Sequence, residues 1–565
     1  MISDELIKAY ALENAILHDG KAKAEVVLAK LFRHGLHKDD IPNYLPKIKE
    51  IVENINRLDI EQQKKEFEIL KYLIPEKTRK HELELPNVKG QVVMRLAPFP
   101  SGPLHIGNAR PYVLNDFFVK KYGGRLLLVI DDTIGSKEKK IVEEAYNLIP
   151  EGLRWLDIDF EEPIIYKSDR LEIYYKYGEK LIEKGMAYVC FCSQEELRKN
   201  REKGIECEHR AYGINKNLEE WRNMLDGKYK EGEAVLRIKT SMQHKNPAFR
   251  DRVIFRISEA KHPRLKNKKA VVWPMMEMAW AIDDYLLGIT HILRGKELMI
   301  ETEMEKYIFD IFNWPYPEFI HTGLLSIEGV KLSKSKSQEE IAKGIYFGWH
   351  DPRTWSLQSL KRRGFRPETI RDFCLSFGLS ETEIKVPLQI LYNFNRKYLE
   401  ESNRCFFVAN PVLITIENAP KLKASLPVHP SYPERGERVL YSSNEFFISL
   451  DDYKEIRKAR EGSIFRLMHL FNFYKKNEKF YFHSVELDKT KDIKKIHWLP
   501  AGKHLNARVL MPNGEWVNGL LENVKVNIDE TLQFERFGFV RLDKIKKIRT
   551  NSKYEKVYEF WYAHP

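Results

Sequence analysis

Cysteine is scarce: five thiols among 565 residues, three of them between 190 and 207, argue against a disulfide framework and for a reducing compartment. Long apolar runs are missing too. No stretch approaches the roughly 20 residues that cross a bilayer, and the opening MISDELIKAY lacks the apolar centre of a secretory signal. The expected location is therefore cytoplasmic, with no membrane partner. Acidic residues are the minority charge, 82 against 94 Lys+Arg. The net charge of +12 and pI of about 9.0 suit a polyanionic partner without naming one. Hydrophobic content of 43% is ordinary for a globular chain, and the length calls for about three to five domains.

The most informative stretch is 92–132. Val92–Leu96 is an apolar run fit for a buried strand, broken by Pro98, Pro100, Gly102 and Pro103. Val113, Leu114, Phe117 and Phe118 follow at helical spacing up to Gly123-Gly124, and Leu126–Ile130 is a second strand ending in Asp131-Asp132. A strand–loop–helix–strand unit of this kind opens a helix N-terminus, where backbone N–H groups attract phosphate. Its loop carries Leu104-His105-Ile106-Gly107-Asn108. Gly107 permits close backbone approach, and His105 and Asn108 can donate to phosphates or ribose. Lys331-Leu332-Ser333-Lys334-Ser335 sets two ammonium groups and two hydroxyls in five residues; alone, such a loop is more often merely solvated.

Elsewhere the chain reads more plainly. Residues 1 to about 85 have helical periodicity and interleaved Lys and Glu, with no catalytic cluster. Cys190, Cys192, Cys207 and His209 supply three sulfurs and an imidazole, a donor set for tetrahedral zinc; on spacing alone, free thiols remain equally open. Trp273–Asp284 is a methionine and aromatic stripe of the kind that usually packs a core. Arg294 ends an apolar strand, which is costly unless an anion meets it. Lys361-Arg362-Arg363-Gly364 reads as a solvated basic helix end, and Phe373–Arg396 as further helix. Past Arg404 short strands separated by Pro and Gly turns predict an all-β barrel region.

In this order the 104–108 and 331–335 segments resemble the HIGH and KMSKS signatures of class I aminoacyl-tRNA synthetases. Arg95–Gly107, Asp131-Asp132-Thr133, Gly288–Gly295 and Gly348–Arg353 narrow the likeness to the glutamyl/glutaminyl subfamily, over most of residues 90–375. The chain resembles the archaeal-type glutamyl-tRNA synthetases. That resemblance implies a multidomain α/β fold with a Rossmann-type catalytic domain in two halves, 88–189 and 271–345, the second holding the KLSKS loop. Between them lies an inserted acceptor-stem-binding domain, 190–270. A helical accessory domain occupies 1–87, a helical connecting domain 346–402, and β-barrel anticodon-binding domains 403–565.

The resemblance also implies roles. His105, Lys331 and Lys334 are the expected catalytic residues, and with Gly107, Asn108 and Ser333 they bind ATP, which carries Mg2+. Arg95, Asp131, Trp273 and Arg294 are expected to bind L-glutamate, with Arg294 meeting its side-chain carboxylate and so selecting it over glutamine. Cys190, Cys192, Cys207 and His209 are implied as a structural zinc site. The implied reaction is glutamate–tRNA ligation through a glutamyl-adenylate, on tRNA(Glu), with tRNA(Gln) open as a second acceptor and a monomer as the default. Two departures stand out: Asn108 replaces the second histidine of HIGH, which puts that position's role in doubt, and Leu332 replaces the usual methionine, a volume-conserving change. A glutaminyl-tRNA synthetase, disfavoured by Arg294, and a non-catalytic tRNA-binding paralogue, disfavoured by His105, Lys331 and Lys334, are the alternatives.

Overall fold

The computed structural model describes residues 2–18, 20–32, 36, 40–74, 83–134, 140–266, 270–330, 332–487, 493–550 and 553–565. The chain divides into two compact units, Met1–Glu84 and Leu85–Pro565. The first holds helices α1 (Asp4–Leu17), α2 (Ala24–Leu31), α3 (Ile41–Asn56) and α4 (Ile60–Leu70). Ser3 caps α1, and Asp59 with Gln62 forms a capping box on α4. The apolar faces meet at Ile7, Leu12, Val27, Leu31, Ile48 and Val52. Buried Gln63 gives its amide hydrogens to the carbonyls of Gly20 and Ile55, tying the N-terminal end of α4 into that core.

The second unit starts with the predicted strand–loop–helix–strand: β1 (Val93–Leu96), α5 (Ile106–Tyr122) and β2 (Arg125–Ile130), stopped at Gly123 in the left-handed region, φ 59°. After α6 (Ala145–Trp155) comes β3 (Glu161–Tyr166), and β1, β2 and β3 form a parallel sheet in that order. α7 (Leu171–Glu183) leads into an excursion: β4 (Ala187–Cys190), α8 (Gln194–Lys203), α9 (Ile214–Leu225), β5 (Val235–Ile238), β6 (Val253–Ile257) and β7 (Val272–Pro274). Its four strands make an antiparallel sheet in sequence order. Its core runs on into α7 and two later helices, α10 (Met276–Leu286) and α11 (Met299–Phe312), through Tyr174, Trp221, Phe255, Met278 and Phe309.

Between those helices lies β8 (His291–Gly295), paired in parallel with β9 (Glu318–Thr322). Thr290, just before β8, exchanges hydrogen bonds with Val93. This sets β8 beside β1, and side chains at the carboxyl ends of β1 and β8 share the crevice where open α/β sheets bind ligands. Then come β10 (Leu325–Ile327), α12 (Lys334–Ala342), α13 (Leu357–Arg363), α14 (Pro367–Leu375), β11 (Ile384–Val386) and α15 (Leu388–Leu399). The helix expected over Phe373–Arg396 is interrupted, because 384–386 pairs in parallel with β10; a partner that far off in sequence leaves no local periodicity. At the basic end of α13, Lys361 is exposed as expected, but the two arginines turn inward. Fully buried Arg363 donates to the carbonyls of Tyr562 and Ala563, and Arg362 makes a bidentate pair with Asp543 at 2.7 Å.

Beyond Arg404 the expected β region forms two seven-stranded sheets. In the first, the outer strands Arg404–Cys405 and Phe407–Ala409 are two ends of one short segment, which nearly closes the sheet on itself. In the second, Lys495–Ile496 and Leu499–Pro500 do the same. Phe407, Val509, Phe534 and Phe560 fill one interior; Ile414, Phe446, Phe473 and Trp498 fill the other. His497, in the second closing segment, is buried with Nε2 at 2.7 Å from the carbonyl of Phe407 and Nδ1 at 3.1 Å from Arg536. Arg536 in turn pairs with Asp452.

Candidate active site and thiol–imidazole cluster

The 97–104 loop bends β1 back over α5, and Leu104 and His105 are tied to a later segment. Leu357 N–H donates to the Leu104 carbonyl at 2.9 Å, Ile106 N–H to that of Trp355 at 3.3 Å, and His105 forms a bridge with Ser356. His105 has extended backbone, φ −125°, at the entrance to α5. Burial first, and the charge of Lys334 second, pull its pKa down to about 3. The imidazole is therefore neutral at physiological pH and can donate only one N–H.

Two cavities adjoin at this loop. One of about 670 Å3 is lined by His105, Asn108, Tyr112, Lys140, Lys334 and Ser335. A smaller one of about 200 Å3 is lined by Arg95, Gly107, Asn108, Tyr112, Trp280 and Arg294. Asn108 and Tyr112 stand in both walls. The two distant sequence signatures thus meet: Lys334 Nζ lies 3.5 Å from the Gly102 carbonyl, and a Cβ on Gly107 would come within 2.7 Å of Leu332 Cδ1 and 3.3 Å of the His105 ring. Ser333 caps α12, its Oγ accepting from Lys336 N–H. Lys331 lies outside the described residues.

Two arginines in the wall of the smaller cavity are held from behind by buried carboxylates, and a third buried ion pair lies beyond Trp280. Arg95, from β1, grips Asp284 of α10 with Nε and Nη2 at 2.7 and 2.8 Å; the carboxylate raises the arginine pKa despite burial. Arg294, from β8, gives Nη1 to Glu305 at 2.7 Å and Nη2 to Thr302 at 2.6 Å. Lys167, fully buried, donates to Asp131 at 3.1 Å, whose other oxygen takes the Thr133 hydroxyl. The cations of Arg95, Lys167 and Arg294 each lie 5.1 Å from the Trp280 ring centre.

Of the residues expected to bind glutamate, then, Arg95 and Arg294 line one cavity. Asp131 lines neither and already holds an ammonium, that of Lys167. Trp273 is fully buried, stacked on His262 with centroids 5.2 Å apart and planes 21° from parallel. Trp280, Tyr112, Lys167 and Glu305 escaped the sequence reading. A signal existed for Trp280 alone: it sits four residues before Asp284, on the same face of α10.

The cysteine–histidine set converges at the end of β4 and the turn before α9. Cys190 Sγ is 3.8 Å from Cys207 Sγ, and His209 Nδ1 is 3.9 Å from Cys190 Sγ and 3.5 Å from Cys192 Sγ. All four donor atoms lie within 4.8 Å of one another. Tetrahedral ligands at about 2.3 Å from zinc are spaced roughly 3.8 Å apart, so the cluster fits that ion. Arg237 and the Tyr188 hydroxyl approach Cys207 Sγ at 3.6 and 3.7 Å, and Cys190 Sγ shares a hydrogen-bond contact with it in which either sulfur can donate. The contact with Cys190 first, and those with His209, Tyr188 and Arg237 after it, pull the Cys207 thiol pKa down, the direction metal binding requires.

Residues 91–401 match the family described as tRNA synthetases class I (E and Q), catalytic domain, and residues 402–491 match its anticodon-binding domain. The glutamate–tRNA ligase of Methanocaldococcus jannaschii is 42% identical over 96% of this chain and 98% of its own length. That of Pyrococcus furiosus is 43% identical, again over 96% and 98%. A solved glutamate tRNA ligase from Elizabethkingia meningosepticum, in complex with its amino acid, is 22% identical over 55% of this chain and 70% of that one, with a TM-score of 0.39.

Proposed function

The chain belongs to the class I tRNA synthetases for glutamate and glutamine and is a ligase that forms glutamyl-tRNA; on that premise we propose which residues carry each step. ATP occupies the larger cavity and L-glutamate the smaller, meeting at the shared wall of Asn108 and Tyr112. An α-carboxylate oxygen of glutamate attacks the α-phosphorus, the bond to the β-phosphate oxygen breaks, and pyrophosphate departs with its Mg2+. The 3′-terminal ribose hydroxyl of tRNA(Glu) then takes the glutamyl group and AMP leaves.

Phosphoryl transfer of this kind needs position and charge more than covalent help. His105, being neutral, contributes a directed N–H; the positive charge comes from Lys334 and Lys331. Ser333 shapes the loop by capping α12, and that helix N-terminus adds its own pull on phosphate. Gly107 keeps Leu332 and His105 close. Asn108 supplies an amide donor where the family has a second histidine, at a position common to both substrates.

Arg294 carries the choice of amino acid. A guanidinium only 5% exposed, lining the small cavity, favours a carboxylate over an amide. Arg95 meets the substrate beside it. Asp131 and Trp273 act from behind the wall: Asp131 fixes Lys167 under Trp280, and Trp273 holds His262, whose Nε2 lies 2.8 Å from the Asp132 carbonyl. Cys190, Cys192, Cys207 and His209 hold one structural zinc. Residues 190–270 grip the acceptor stem and the barrels of 403–565 read the anticodon. No helix among the described residues is long and apolar enough to cross a membrane. One chain lines both cavities, which supports a monomer as the working unit, and the proposed location is the cytoplasm, where translation takes place.

The test is aminoacylation of purified tRNA(Glu) and tRNA(Gln) with labelled glutamate and glutamine. Glutamate on tRNA(Glu) is the expected product, and its appearance on tRNA(Gln) as well extends the assignment. Glutamine on either one overturns the reading of Arg294.

A further inference from the structure

Glu305 is fully buried on α11 and takes part in no step described so far. One of its oxygens accepts from Arg294 Nη1; the other, Oε2, has no hydrogen-bond partner among the described residues. Thr302, one turn earlier, accepts from Nη2, and its hydroxyl also meets His321 Nε2 at 2.9 Å. The guanidinium is thereby clamped from α11 at both terminal nitrogens, while its buried Nε has no partner. We propose that Glu305 is the positioning and specificity-determining residue of the glutamate side-chain subsite, sharing the Arg294 guanidinium with the substrate carboxylate. The proposal rests on the assignment of Arg294 to that carboxylate.

The charges around the cavity show why sharing matters. Arg95 already has Asp284, Arg294 has Glu305, and Lys167 has Asp131. A substrate carboxylate is a fourth anion among three buried cations, and two carboxylates on one guanidinium repel. The excess is relieved if Glu305 takes up a proton. Every neighbouring element bears on that step. Burial comes first and holds the Glu305 pKa up at about 7; Arg294 from β8 and Arg95 from β1 pull it down, and Asp284 from α10 pushes it up. His321 from β9 stays neutral, its pKa lowered by burial and by Arg294. Glutamate binding therefore takes up a proton at Glu305 above pH 7, whereas glutamine, with its uncharged amide, takes up none.

Calorimetric titration of the full chain with L-glutamate at pH 8, in two buffers of different ionisation enthalpy, reads this directly. The wild type should take up close to one proton per glutamate, and Glu305→Gln, an isostere that still accepts from Arg294, none. In parallel, the KM for glutamate in pyrophosphate exchange with tRNA present should climb toward about tenfold per pH unit between pH 7.5 and 8.5 in the wild type, with kcat level, and stay flat in Glu305→Gln. Equal proton uptake or an equal pH slope in the two proteins overturns the proposal. Arg294→Ala separates the premises. If it keeps a wild-type KM for glutamate, the assignment of Arg294 has failed. If it loses glutamate while Glu305→Gln matches the wild type in every respect, only the role of Glu305 has failed.

Discussion

Gly107→Ala is expected to damage catalysis while leaving the fold intact or firmer. Gly107 lies in the first turn of α5, where alanine in place of glycine favours the helix by up to about 1 kcal/mol. Its added methyl, however, would stand 2.7 Å from Leu332 Cδ1 and 3.3 Å from His105 Cε1 and Nδ1. Either the leucine and its loop move away or the His105 imidazole swings out of its place. Overpacking of this order costs about 1–3 kcal/mol, and a cost falling on loops that must close over ATP appears as a loss of roughly 5- to 150-fold in kcat/KM for ATP. Leu332→Ala opens the space the methyl needs. The double variant should therefore recover at least about 1 kcal/mol relative to the sum of the singles, a coupling expected only of residues in contact. The assay is pyrophosphate exchange with ATP varied at saturating glutamate and tRNA, with thermal melting alongside. If the two substitutions are additive, or if the loss in Gly107→Ala follows a fall in Tm, the contact between the two loops is not what glycine protects.

Three other outcomes follow from groups already described. Burial and Arg536 pull the His497 pKa down to about 4, so the unfolded chain binds the proton first, and stability is lost as pH falls from about 6.5 toward 4. At pH 5 this amounts to about 2 kcal/mol. His497→Gln should flatten that part of the denaturant midpoint against pH, and an unchanged acid slope would refute it. Cys207→Ala should abolish a stoichiometric zinc signal in metal analysis and lower the Tm, as a structural ion requires; an unaltered zinc content would dissolve the proposed site. Asp284→Asn strips the buried Arg95 of its counter-charge, a loss of about 3–5 kcal/mol, expected as a large rise in KM for glutamate with KM for ATP nearly unchanged. A rise of equal size in both constants would argue against separate chambers.

The sequence showed the β1–α5–β2 unit, the helical first unit, the barrels and both signature loops, because each is written in local periodicity, in turn residues or in a short motif. What it could not show was who pairs with whom. Nothing near Arg294 in sequence announces Glu305, since a residue at its spacing on an amphipathic helix reads as a solvated face. The Lys361-Arg362-Arg363 run looked solvated for the same reason; its partners, Asp543 and the carbonyls of Tyr562 and Ala563, lie some two hundred positions away. The resemblance pointed to Trp273, yet the tryptophan in the cavity wall is Trp280. The cysteines were easy to notice but ambiguous, because C-x-C spacing does not reveal whether side chains converge; their mutual approach does.

The closing segment Arg404–Ala409 has a consequence in time. All seven strands of the second barrel lie between Pro411 and Pro500, whereas the first barrel waits for strands as late as Lys553–His564 to join its opening pair. On the ribosome, the barrel begun second is the one finished first. A chain that ends at residue 500 has every strand of the second barrel and the catalytic sheet, but Arg363 has nothing to grasp, because the carbonyls of Tyr562 and Ala563 are not yet made. Seating of α13, and of the segment before it that braces Leu104 and His105, thus waits for the end of the message. The enzyme that feeds translation is itself completed only when its own translation nears its close.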